Sequence, residues 1–271
     1  MTSTTHERSS AEARASGVRR AQVWSIRCVT VILLGVGISL ASGRLINPLA
    51  LPSLGELWTR GVEMFHPSDR AAVYQPVLET GFHAVLGLLL GVFFGTAFAL
   101  VVGRSRAGAI IEPYMAFASS LPRVALLPLI VLWVGSGLTT VLLFVALAVF
   151  FVVFYNTVQG IRAVDWSTES ALRVLGASEL ELIRHCVAPT VRPHLVAALL
   201  IAAPQALLGA VIAEMLLGSG VGGLLIYLRG QFDTPGLYVA TLVATVIGVL
   251  LNEVVGRFDR RYRLRASEAG L

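Results

Sequence analysis

Six apolar stretches, at residues 23–43, 78–102, 109–134, 138–158, 194–217 and 237–255, leave this chain few folds to choose from. A hydrocarbon core about 30 Å thick is crossed by roughly 20 helical residues, and a helix satisfies its own backbone there without water. Each stretch is near that length. Hydrophobic residues make up 56% of the chain and charged residues 14%, where a soluble domain carries roughly a quarter charged. The expected fold is all-α, a polytopic membrane bundle of about six transmembrane helices.

The residues around the first stretch allow two readings. Ala41-Ser42-Gly43 would suit cleavage of a secretory signal, whereas the long polar leader and the five later segments favour a retained span. Residues 1–22, rich in Ser, Thr, Ala, Glu and Arg, read as a disordered cytoplasmic tail. The expected organisation is that tail, a first span with an outer interfacial segment (23–77), a core of five spans (78–256) and a basic cytoplasmic tail (257–271). Within 44–77, Leu54, Leu57, Trp58, Val62 and Phe65 recur at helical spacing, as in a short amphipathic helix lying in the interface.

The charges exclude whole classes of chemistry. All 21 basic residues are arginines, so the chain offers no Lys to grip a triphosphate or form a Schiff base. It is not expected to be an enzyme or to bind a cofactor; energy for a pump would come from a partner. Cys28 and Cys186 lie far apart and suggest neither a disulfide framework nor a metal site. Asp69, Asp165, Asp233 and Asp259 all fall outside the apolar stretches, against an intramembrane aspartyl protease, and no His-Glu-x-x-His is present. Ser136 and Ser219 each sit between glycines with no histidine base placed beside them, and His83, near an outer span end, reads as interfacial packing. Sixteen of the 21 arginines fall in the terminal tails, at the leading end of the first stretch (Arg27), in the turn at 103–108 and in the interval 160–193. The positive-inside rule therefore places both termini and that interval in the cytoplasm.

Inside the spans, Gly87, Gly91 and Gly95 recur every fourth residue and form a ridge where a second helix can pack closely. The 109–134 stretch is interrupted by Pro113, Pro122 and Pro128, and Arg123 stands ~20 Å along it at 1.5 Å per residue. Arg123 and Glu214 are the deepest charges assigned, and ionisable groups at that depth are paired or line a wet path. Arg123 would either favour passage of an anion or pair structurally, with Glu214 or with carbonyls freed near Pro122. The glycine-rich turn at 218–223 would cradle an anion or let backbones pack tightly.

The polar interval 160–193 has its own design. Ser167 or Asp165 would cap a short helix carrying Leu172 and Leu175 on one face, and Gly176 would end it. Ser178 and Glu181 then form a capping box for a second helix with Leu182, Ile183, Cys186 and Val187 as its apolar stripe; Pro189 and Pro193 are expected to stop it.

This interval resembles the cytoplasmic coupling loop of membrane subunits of bacterial ATP-binding-cassette importers. Ala171, Gly176 and Pro189 stand at the family's spacing, while Ser170, Leu172, Cys186 and Ala188 depart from its consensus. The likeness extends over roughly 45–265 and is nearest to permeases of the nitrate, sulfonate and taurine group. It is carried by Asn47-Pro48, the glycine ladder, Leu121-Pro122-Arg123, Tyr155-Asn156-Thr157, and Ala213-Glu214 before Gly220-Val221-Gly222. The resemblance implies a type I ABC importer permease-like bundle in the bacterial inner membrane. It implies a second copy of the chain, two ATPase subunits that bind ATP and Mg, and an extracytoplasmic substrate-binding protein, with no nucleic acid. Ala171, Gly176, Ala177, Ser178, Glu179 and Pro189 would couple to the ATPase, and Arg123 and Glu214 would line the path of a small anionic solute. An ion-coupled secondary transporter is the alternative, but it needs no such cytoplasmic device and no internal repeat is visible.

Overall fold

The structure, a computed structural model, describes residues 51–66, 71–105 and 108–268, the last of them from 258 by backbone alone. The polar leader, the first apolar stretch and Cys28 lie outside the described residues. The elements are α1 (Leu54–Met64), α2 (Tyr74–Gly103), α3 (Gly108–Ser120), α4 (Arg123–Val134), α5 (Leu138–Arg162), α6 (Trp166–Val174), α7 (Glu179–Leu182), a π-helical turn (Ile183–Val187), α8 (Ala188–Leu217), α9 (Gly220–Gly230) and α10 (Thr234–Glu268). No strand occurs among the described residues.

Four of these helical runs are long and apolar enough to cross a membrane: Tyr74–Gly103, Leu138–Arg162, the continuous Glu179–Leu217 and Thr234–Arg257. The bent pair α3–α4 would make a fifth.

The core is a three-helix bundle of α2, α5 and α8. A Cβ added to Gly87 would overlap the side chain of Val145, and one on Gly91 would stand 2.5 Å from Val149 Cβ. At Gly95 it would lie 2.9 Å from the carbonyl oxygen of Phe150. Only a residue without a side chain lets α2 and α5 approach so closely. On α8 the same role falls to Ala198, Ala202, Ala206 and Ala210, which recur every fourth residue and are buried against Val145, Val149 and Val153. Close backbone approach replaces the hydrophobic drive that lipid cannot supply.

At one end of the bundle, α1 lies against α10. Ser53 and Glu56 form a reciprocal capping box at its start, Arg60 Nε donates to Asp233 Oδ2 at 2.7 Å, and Met64 packs among Val239 and Ala240. Trp58 points outward.

Two expectations are corrected. The 109–134 stretch is not a straight helix with Arg123 ~20 Å along it: α3 and α4 meet at 94°, because Leu121-Pro122 breaks the helix and Pro122 takes an extended backbone. Arg123 is the first residue of α4. Pro189 and Pro193 do not stop the second coupling helix, which runs unbroken from Glu179 to Leu217. The π-helical turn Ile183–Val187 widens the helix just before Pro189, making room for a ring that would clash in a regular turn, and Thr190 Oγ1 donates to the Cys186 carbonyl at 2.9 Å. The last helix, α10, continues past the apolar stretch to Glu268, since arginine-rich sequence is a good helix former.

Candidate functional site

The interval between α5 and α8 is built from its caps. Asp165 precedes α6 and accepts from the Ser167 and Thr168 amides, each at 3.2 Å, and from both their hydroxyls. These bonds, the Ser167 hydroxyl foremost, hold the Asp165 carboxyl well below its ordinary 3.8, at about 2. Gly176 ends the helix with φ +83°, a left-handed geometry that a Cβ opposes, and the Ala177 amide donates back to the Leu172 carbonyl at 3.0 Å. Ser178 and Glu181 form the second capping box, with the Ser178 amide 2.8 Å from Glu181 Oε2.

Leu182, Cys186 and Val187 are buried and anchor this device to the bundle. The rest of its apolar surface faces outward: Trp166 is 80% exposed, Val174 88%, Leu175 82% and Leu180 74%. Large apolar side chains presented beside ionic groups mark a surface that meets a protein or the membrane. Leu175 therefore does not pack inward with Leu172. Ala171 and Glu179 are exposed and Ala177 is half-buried, so the residues singled out beside Gly176 lie around this surface, while Pro189 stands on the helix that supports it.

An ionic ring that the sequence pattern does not reveal joins the device to α2. Arg104 Nη2 lies 3.1 Å from Glu169 Oε1 and 2.8 Å from Glu179 Oε2. Arg173 Nη2 lies 2.9 Å from Glu169 Oε1, and Arg173 Nη1 lies 2.6 Å from Glu179 Oε1. Arg104 reads in the sequence only as a marker of the cytoplasmic side. Its partners are 65 and 75 residues away, so only the fold brings them together.

The second polar site surrounds Glu214, which is 0% exposed. Thr80 Oγ1 donates to Glu214 Oε2 at 2.6 Å, His83 Nδ1 lies 2.7 Å from Oε1, and the Gly222 amide donates to Oε2 at 3.2 Å. The Thr80 hydroxyl also accepts from the Val221 amide at 2.8 Å, and Glu79 Oε2 accepts from the Gly220 amide at 2.9 Å. The start of α9 is thus tied to α2 and α8 through three successive amides. Cβ atoms on Gly220 or Gly222 would overlap the Glu214 carboxylate or the Val211 carbonyl respectively. The glycine turn packs tightly and gives its amides to carboxylates of the chain itself. A cleft of about 720 Å³ opens beside it, lined by Tyr74, Gln75, Glu79, Ser219 and Tyr227.

His83 is not interfacial packing, as its place near a span end suggests; it is a buried partner of Glu214. The signal was its position three residues after Thr80 on one helix face, but its partner is 131 residues away. Arg123 and Glu214 make separate bonds. Arg123 Nη1 donates to the Ala148 carbonyl at 3.1 Å, which pins the start of α4 to α5. Among the described residues no group of three or more His, Cys, Asp or Glu is placed to hold a metal ion.

The riboflavin transport system permease protein RibX of Chloroflexus aurantiacus is 34% identical over 151 residues, covering 55% of this chain and 56% of that protein. The aliphatic sulfonates transport permease SsuC of Bacillus subtilis, a putative assignment, is 30% identical over 182 residues, 66% of each chain. The taurine transport system permease protein TauC of Escherichia coli is 26% identical and covers 85% of each. The chain thus aligns with little more than half of the first of these relatives and about two thirds of the second. In three dimensions, inward-facing MetNI methionine ABC transporter superposes with a TM-score of 0.59 at 15% identity, over 68% of this chain and 93% of the other. An amino acid ABC transporter crystallised with histidines gives 0.56 at 18% identity, and these likenesses establish the fold. Residues 87–264, well over half of the chain, match the model of one family, and the chain belongs to it: the binding-protein-dependent transport system inner membrane components.

Proposed function

We propose that this chain is the permease subunit of an ATP-binding-cassette importer, paired with a second copy of itself, two ATPase subunits and an extracytoplasmic binding protein. The observation that carries the reading is the capped helix, glycine, helix device, whose four large apolar side chains stand exposed on the side that the arginines mark as cytoplasmic. Both termini lie on that side, and ATP and Mg belong to the partner. Closure of the ATPase pair draws the two coupling segments together and levers the spans between inward-open and outward-open arrangements, since a packed bundle responds as a bistable unit.

The solute is small and anionic. Arg123 at the α3–α4 bend offers a cation beside the core helix, and two relatives are named for sulfonates and taurine. Glu214, enclosed by its own partners, serves the outer end of the pathway as a structural clamp.

The test replaces Gly176 with Val. A β-branched residue resists φ +83°, so the segment deforms while the spans insert. The expected result is a membrane-inserted dimer that co-purifies with far less ATPase; undiminished ATPase binding and ATP-dependent uptake would refute the reading.

A further inference from the structure

Beyond its ends, α6 has little to hold it. None of its residues is buried, and the left-handed Gly176 joins it to α7 as a hinge. What ties it to the bundle is the ring in which Arg104, Glu169, Arg173 and Glu179 alternate in charge, each arginine bonded to both glutamates. Glu169 lies before the hinge and Glu179 after it, so the ring sets the angle between the two arms. Arg104 follows the last residue of α2 directly and its side chain is 15% exposed. Exposed ion pairs taken singly contribute little, but here each side chain is ordered by two partners, so one ordering cost serves several bonds.

We propose that Arg104 is a positioning residue that makes the coupling segment and α2 move as one body. Through it, a push on α6 reaches α2, and the glycine contacts with α5 carry it into the core. The inference rests on the coupling role proposed above and assigns the joint through which it acts. An isolated packing role would predict only a loss of stability on removing Arg104. A joint predicts that motion of α6 is retained while motion of α2 is lost.

The experiment uses the full complex with its ATPase in lipid nanodiscs, with Cys28 and Cys186 replaced by Ser. One spin label per chain is placed either at Val101→Cys, on the exposed face of α2, or at Ser170→Cys on α6. Distances between the two copies are read without nucleotide and with ATP plus vanadate. With the ring intact, ATP shifts both distances. In Arg104→Gln the Ser170 shift persists and the Val101 shift is lost, and Arg104→Lys, which keeps the charge without the forked geometry, restores it in part. The single variant Glu169→Gln, which leaves both α2 and Glu179 untouched, removes one partner from each arginine; it reduces the Val101 shift while the Ser170 shift persists, and serves where Arg104→Gln fails to insert. A Val101 shift undiminished in both ring-breaking variants overturns the joint. Absence of a Ser170 shift with the ring intact overturns the coupling reading itself, and the joint with it.

Discussion

Glu214 shows what a single buried carboxylate does when both of its oxygens are answered. Its two oxygens meet a hydroxyl, an imidazole nitrogen and a backbone amide at a position with no exposed surface. Replacing it with Leu leaves Thr80, His83 and the Gly222 amide facing an apolar group, at about 1–3 kcal/mol for each buried polar group stranded. Gln retains an acceptor and a similar shape. Thermal unfolding in detergent should therefore rank wild type above Glu214→Gln and Glu214→Leu last; equal midpoints for the two variants would deny the clamp. Gly222→Ala drives a methyl into the Val211 carbonyl, and overpacking of this kind costs about 1–3 kcal/mol, read in the same assay. Asp165 carries a pH prediction. Its folded pKa is depressed, so its contribution is complete above 3.8 and is lost only as pH falls toward about 2. Hydrogen exchange at the Ser167 and Thr168 amides should be equally slow, after correction for intrinsic rates, at pH 8 and pH 5. In Asp165→Ala both amides should exchange faster at either pH.

Helices with strong local signals were readable from sequence. Ser178 with Glu181 announces its capping box, and the box forms; the Ser53–Glu56 box appears only in the structure. Gly176 announces a helix stop and takes a left-handed φ. The failures have a common cause, since proline in an apolar helix has two outcomes that depend on its surroundings. At Pro122 the helix breaks by 94°, and the arginine that follows finds a carbonyl on α5. At Pro189, Pro193 and Pro204 the helix continues, with a π turn before the first of them. The π turn allows a prediction: Pro189→Ala removes the ring that the widened turn accommodates, so a regular α-helical turn replaces it. Labels on Leu180 and His194 should then report a changed distance across the turn. An unchanged distance would show that the turn is held by other contacts.

Taken whole, the chain presents its polar chemistry at two ends of one close-packed bundle. One end carries the ring of Arg104, Glu169, Arg173 and Glu179; the other carries Glu79, Thr80, His83 and Glu214. The α2 helix contributes to both, through Arg104 at its C-terminal end and Glu79, Thr80 and His83 near its start. Sequence reasoning found the bundle, its glycine-bearing helix and the capped helix, glycine, helix interval, because each has a local pattern. It could not find the bonds of Arg104 to Glu169 and Glu179 or the histidine–glutamate pair, whose partners are 65 or more residues apart and lack any shared periodicity. The central claim is that residues around Gly176 face the cytoplasm and are covered by an ATPase. The most direct measurement places one cysteine at Leu175, in a chain with Cys28→Ser and Cys186→Ser, and follows labelling by a membrane-impermeant maleimide. The account predicts labelling in inverted membrane vesicles, none in right-side-out vesicles, and protection when the ATPase subunits are assembled on the permease; labelling from the outer face, or no protection, would contradict it.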